Sequence, residues 1–524
     1  MKNYFRYIAV LALGIVSCEP EFEDPIDEEG FYNNGEADFS NYVALGNSLT
    51  AGYANNALYI SGQENSYPNI LAQQFAVVQD TEGFRQPLVN DNTGGLVLGG
   101  QTIPGFDTRL VLSFDADGSN PSPQNYRGAQ PITDVSTKLE GSFNNMGVPG
   151  AKSYQLAFPG YGDLSGLTTQ PVTANPYFVR FASSPQTTVV QDALAQEPTF
   201  FSLWIGNNDV LGFAASGGVG VDQTGTFAGA NPMEYFGTYG PNDITDPNAF
   251  AAVYGQMVQA LSASTSGGVL INIPDVASVP YFTTVPVNAI PLDSQTATAL
   301  NAQFAAYNDQ ILPGLMGLGL LSAEEVQARR ITFTEGQNFV TLTDESLIDI
   351  SQIIQGAPFN LDAQTAGLLG QLRQATVGDL IPLTSSGFLG TTVGGDPMMV
   401  NGVSVPLGDQ HVLTTSEQEM IATATQRYNE TIAALAEANG LGLVDANATL
   451  TRLASEGISF DAGTVTADFV TGGAFSLDGI HLTPRGYAII ANGIIDEINE
   501  TYNSEVPKVN IGNYGTVTLS NDIQ

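Results

Sequence analysis

"YVALGNSLTAGY", residues 42–53, is an apolar run that stops at Gly46 and gives way to a serine among small and polar residues. An apolar run followed at once by a turn or helix is how a buried parallel strand ends in an α/β sheet, and reacting groups in such sheets gather at the carboxyl ends of the strands. Ser48 stands at that point. Further runs read the same way: "FNNMGV" (143–148), "TFFSLWIG" (199–206), "GVLINIP" (268–274) and "GLGLVDA" (440–446). Helical patterns lie among them at 187–196, 247–262, 296–311, 414–440 and 484–502. This alternation predicts a three-layer α/β/α fold around a five-stranded, mostly parallel, doubly wound sheet. In the 414–440 helix, Ser416 and Glu419 have capping-box spacing and Asn439-Gly440 supplies a stop; Pro484 suits a first helical turn.

The spacing of the runs is uneven. Residues 54–140, rich in Gly, Asn, Gln and Pro, and residues 280–412 exceed ordinary connections and read as two insertions around one core spanning 41–505, with a C-terminal extension at 506–524. Within the second insertion, "ILPGLMGLGLL" (311–321) is apolar enough to favour a lid over a lipid chain, against the wall of a glycan cleft.

The N-terminus is set apart from the fold. Residues 1–17 carry Lys2 and Arg6 ahead of an apolar stretch, Tyr7 to Val16, which is too short to span a bilayer permanently. That stretch ends in Ile15-Val16-Ser17-Cys18, which resembles the lipobox of bacterial lipoproteins, where the cysteine is lipidated. Cys18 is the only cysteine, so it forms no disulfide within the chain and is free to serve as an anchor. An ordinary secretory signal with an incidental cysteine is the plainer alternative. Residues 18–40 are acidic and poor in periodic apolar positions, as in a flexible tether. The expected location is the cell envelope, lipid-anchored and facing periplasm or cell surface.

Fifteen Lys and Arg stand against 53 Asp and Glu, a net charge of -38. So little basic side chain excludes nucleic acid as an expected partner, because phosphates would go unneutralised.

Beyond Ser48, three blocks carry chemistry. "WIGNNDV" ends the third run with Asn207-Asn208-Asp209, and an asparagine amide there donates to an oxyanion without changing charge. The second run ends in Gly147-Val148-Pro149-Gly150, where glycine lets a backbone N–H approach a substrate oxygen. "SLDGIHLTPRGY" places Asp478 three residues before His481, a spacing in which the carboxylate fixes the imidazole tautomer while the other nitrogen faces a nucleophile. Each block also has a plain structural reading: a capping serine, a polar turn, a Pro-Gly turn and a polar helix entry. His411, the second of two histidines, lacks the Asp-x-x-His spacing and reads as structural. "DADGSN" (115–120) lacks a calcium loop's spacing and reads as a surface turn.

Together, and in this order, the blocks resemble the GDSL esterase/lipase family of the SGNH hydrolase superfamily. The resemblance extends to "INIPDVASVPYF" (271–282) and covers about half the chain. It implies Ser48 as nucleophile, Asp478 and His481 as its acid and base, and an oxyanion hole from Ser48, Gly150 and Asn208. It also implies a hydrolase of ester bonds that needs no metal or organic cofactor, acting on a small-molecule, lipid or acylated glycan ester. Asn47 stands where the family has its aspartate, and Gly147 lies close enough to Gly150 to compete for its role. A carbohydrate acetyl esterase, or a surface lipoprotein that keeps the fold and binds glycan or lipid without chemistry, are the alternatives.

Overall fold

A computed structural model describes residues 31–114, 121–229 and 237–520. The signal segment, Cys18, the start of the tether and the 115–120 turn lie outside the described residues. The five central strands are β1 (Tyr42–Gly46), β2 (Asn145–Gly147), β3 (Phe200–Trp204), β4 (Gly267–Ile271) and β5 (Gly442–Val444). They pair in the order β2-β1-β3-β4-β5, and every pairing is parallel. All five carboxyl ends therefore share one edge, and the order reverses between β1 and β3, the point at which doubly wound sheets open a ligand crevice.

The strands are shorter than the apolar runs. Val148, Ile205 and Ile273 are fully buried but lie past the ladder, because burial continues into the loops that carry the site.

Helices cover both faces. We label α1 (Ser48–Ala51), α2 (Tyr67–Val78), α3 (Val189–Leu194), α4 (Asn208–Ala215), α5 (Pro247–Ser262), α6 (Ser294–Ala306), α7 (Thr415–Asn439) and α8 (Pro484–Tyr502). Side chains alternate along β3, so Phe200, Ser202 and Trp204 share one face. There Tyr67 of α2 meets Trp204 and Tyr502 of α8 meets Phe200. On the other face α5 and α7 pack together, with Phe250 stacked on Tyr428 at 4.3 Å.

Several expectations change in detail. Helix α2 lies inside the stretch read as the first insertion, yet Tyr67, Leu71 and Phe75 belong to the main core; parallel β1 and β2 need a crossover, and this helix lies in it. The tether ends before residue 40, since Ala37 and Phe39 are buried and Phe39 stacks on Phe75 at 4.0 Å. Five residues, 36–40, are too few to show a period. Helix α7 is capped by Thr414 and Glu417 in place of Ser416 and Glu419: the Glu417 carboxylate accepts the Thr414 N–H at 2.7 Å. Helix α6 begins at Ser294, capped by Asp293, and Tyr307–Ile311 continues it as a π-helical turn.

The second long stretch makes its own core. Ile290, Leu312, Leu315, Ile331, Leu342, Ile354 and Leu407 form a hydrophobic cluster separate from the one around the sheet, so 280–412 is a lobe with an interior and not a long loop. No helix among the described residues is long and apolar enough to cross a membrane.

Candidate active site

Strand β1 delivers Ser48 to the carboxyl edge as the first residue of α1. Asn47 does the capping there: its Oδ1 accepts the Leu49 N–H at 3.0 Å. The Ser48 hydroxyl is left for another partner. His481 Nε2 lies 2.9 Å from Ser48 Oγ, and His481 Nδ1 lies 3.0 Å from Asp478 Oδ2. A carboxylate only accepts, so Nδ1 carries the proton and Nε2 is the acceptor for the Ser48 O–H.

Asp478 sits in the turn before α8, whose N-cap is Thr483. Its side chain is almost fully buried. Oδ1 accepts the N–H groups of His481 at 2.8 Å and Ile480 at 2.9 Å, and the Ser476 hydroxyl at 3.1 Å. Oδ2 accepts the Asn56 N–H at 2.7 Å as well as the imidazole. Burial opposes the charge, but the His481 ring and these donors outweigh it and hold the carboxyl well below the usual carboxylate range.

The groups expected to face an oxyanion, Asn208 and Gly150, come from two neighbouring loops. Asn208 Nδ2 donates one hydrogen to Ala151 O at 2.8 Å, which fixes the amide's orientation and leaves its second N–H available. Gly150 has φ of +81°, a left-handed conformation that glycine adopts freely. Its N–H and that of Ser48 donate to no group among the described residues. Gly147 differs: its N–H is taken by Asn145 Oδ1 at 3.0 Å, and a Cβ there would meet Ala51 N at 2.3 Å.

Behind this loop Asp209 is fully buried and accepts both the Ser153 N–H at 2.8 Å and its hydroxyl at 2.7 Å. Burial raises the Asp209 carboxyl and lowers the buried Lys152 ammonium, each partly offset by the other's charge. Asn208 and Asp209 thus grip the Gly150 loop at two points.

No family model matches the chain, and neither does any curated protein or solved structure.

A cavity of about 40 Å³ lies beside Ser48, His481 and Asn208, walled by Leu211, Val276 and Val279. Val276 and Val279 come from the "INIPDVASVPYF" stretch. The apolar segment 311–321, expected as a lid, does not line this cavity. Its Leu312, Leu315 and Leu321 face inward to fill the second core. His411 has partners other than the triad, with Nδ1 3.0 Å from Ser385 Oγ and its ring stacked on Phe388 at 3.9 Å. Among the described residues no cluster of His, Cys, Asp or Glu is arranged to hold a metal ion.

Sequence reasoning missed Asn55, Asn56 and Ser476 around the acid, and Lys152 and Ser153 behind the oxyanion loop. The one signal for the first group is "ANNA" (54–57), since asparagine is the residue besides glycine that tolerates tight left-handed turns.

Proposed function

We propose that the chain is a serine ester hydrolase. The observation that carries the reading is the unbroken relay from Ser48 Oγ through His481 to Asp478, at 2.9 Å and 3.0 Å. His481 Nε2 takes the hydroxyl proton as Ser48 Oγ bonds to the ester carbonyl carbon. The negative charge on the carbonyl oxygen is met by the N–H groups of Ser48 and Gly150 and the free N–H of Asn208. The imidazolium then protonates the departing alcohol, leaving an acyl group on Ser48. Water, deprotonated by His481, releases the acid and restores the serine. Asp478 stays ionised throughout and stabilises the imidazolium.

The apolar side chains of Leu211, Val276 and Val279 beside Ser48 suit the hydrocarbon part of an acyl group. The resemblance to the GDSL esterase/lipase family supports the same chemistry. A lipid anchor at Cys18, holding the enzyme to the cell envelope, completes the proposal.

The test is fluorophosphonate labelling of wild type and Ser48→Ala, together with turnover of model esters of increasing acyl length and of acetylated oligosaccharides. Wild type is labelled at Ser48 and turns over esters, while Ser48→Ala does neither. Labelling at another serine, or full turnover by Ser48→Ala, refutes the reading. For the anchor, Cys18→Ala moves from the membrane to the soluble fraction or accumulates unprocessed, and unchanged fatty-acid labelling overturns it.

A further inference from the structure

The chain turns back on itself at Ala54-Asn55-Asn56-Ala57, where Ala54 and Ala57 exchange both backbone hydrogen bonds at 3.1 Å. Asn55 has φ of +52° and Asn56 of +61°. Two consecutive left-handed residues between a closed pair define a tight hairpin turn of type I′, a conformation costly for most side chains. Left-handed residues other than glycine persist where the surroundings require them. Here the surroundings are the catalytic acid. Asn56 N–H reaches Asp478 Oδ2 at 2.7 Å, the oxygen that also holds the imidazole. Asn55 N–H reaches Ser476 Oγ at 2.9 Å, and Ser476 passes its own hydrogen to Asp478 Oδ1 at 3.1 Å. Asn55 Oδ1 closes the clamp by accepting the Leu477 N–H at 3.0 Å. The Asn56 side chain, by contrast, is exposed to solvent.

We infer that this turn is the positioning element for Asp478. Position 56 acts through its left-handed backbone and position 55 through both its backbone and its side-chain oxygen. The inference rests on the esterase reading, in which Asp478 orients the base. The turn follows the nucleophile directly in the chain, so it ties the serine's segment to the loop carrying the acid and the base. With the Asn56 N–H withdrawn, Oδ2 loses a donor and its charge is less well stabilised. Its hydrogen bond to the His481 Nδ1–H then changes, which the downfield Nδ1–H resonance reports.

The experiment compares Asn56→Gly, Asn56→Val, Asn56→Ala and Asn55→Gly by kcat, KM and the downfield Nδ1–H proton resonance of His481. Asn56→Gly, which adopts φ > 0 freely and keeps the N–H, stays about tenfold or more above Asn56→Val in kcat, with KM similar in both. Asn56→Ala falls between them, and stands in for Asn56→Val if that variant does not fold. Asn55→Gly keeps the turn but loses the Leu477 contact, and shows a weakened resonance. If glycine at 56 is as damaging as valine or alanine, or if valine moves neither kcat nor the resonance, the inference is overturned. The resonance separates the two ideas. A wild type that turns over no ester yet shows the resonance, lost in Asn56→Val and kept in Asn56→Gly, retains the positioning role and sinks the esterase reading alone.

Discussion

Asn208 commits one amide hydrogen to Ala151 and keeps the other for the cleft. Asn208→Ala is expected to lower kcat by roughly 10²- to 10³-fold with little change in KM, because the lost bond strengthens only as charge develops. Fluorophosphonate labelling continues, more slowly. Asn207→Ala acts differently, since Asn207 Oδ1 accepts from the buried Asn47 amide at 3.0 Å. Its cost falls on stability, about 1 to 3 kcal/mol by urea unfolding, and much less on kcat. Asp478 adds a pH dependence. Its carboxyl is held below the ordinary value in the folded state, so its stabilisation is complete above about pH 4 and is lost as pH falls through the folded value. The stability gap between wild type and Asp478→Asn therefore narrows from pH 7 to pH 3. Ser48, Asp478 and His481 were legible because their chemistry is in their side chains and spacing. The donors to Asp478 were not. Asn56 contributes a backbone N–H from 422 residues away, and a backbone group has no signature in residue type.

The strands and long helices were legible through periodicity and capping residues, and their ends were less so. Two Ser/Thr-x-x-Glu pairs overlap at the start of α7, Thr414 with Glu417 and Ser416 with Glu419, and local pattern treats them alike. Tertiary burial decides between them: Thr414 is buried, and its N–H and hydroxyl both reach Glu417 Oε2, at 2.7 and 2.8 Å. Thr414→Ala is expected to cost about 1 to 2 kcal/mol in urea unfolding, and Ser416→Ala less than about 0.5 kcal/mol. Equal costs would mean that the Ser416–Glu419 pair contributes to the helix start as much as Thr414 and Glu417 do. Helix α2 was hidden for a related reason. It sits in a stretch whose Gly, Asn and Pro content reads as loop, and its burial against the sheet overrides that composition.

Among the described residues the two largest hydrophobic clusters lie around the sheet and in the 280–412 lobe. Leu312 is fully buried in the second. Leu312→Ala is expected to destabilise the lobe by about 2 to 5 kcal/mol. In calorimetry this separates an early transition from that of the sheet, and a single transition shifted as one would show that the interiors unfold together. The lobe also bears on the site. Tyr281, packed in the sheet's cluster, donates its N–H to Gly479 O at 2.9 Å and its Oη lies 3.0 Å from Thr384 Oγ1, so it links the lobe to the middle of the Asp478–His481 turn. Lobe variants are thus expected to act on kcat as well as on stability. The hydrogen bond between Ser48 and His481 has a last consequence, in time. It joins residues 433 apart in the chain. During synthesis Ser48 is made first and stays without its histidine partner until those intervening residues have followed. A chain interrupted anywhere before 478 carries Ser48 with neither His481 nor Asp478, so the proposed esterase activity is expected only once the segment through His481 has been made and folded.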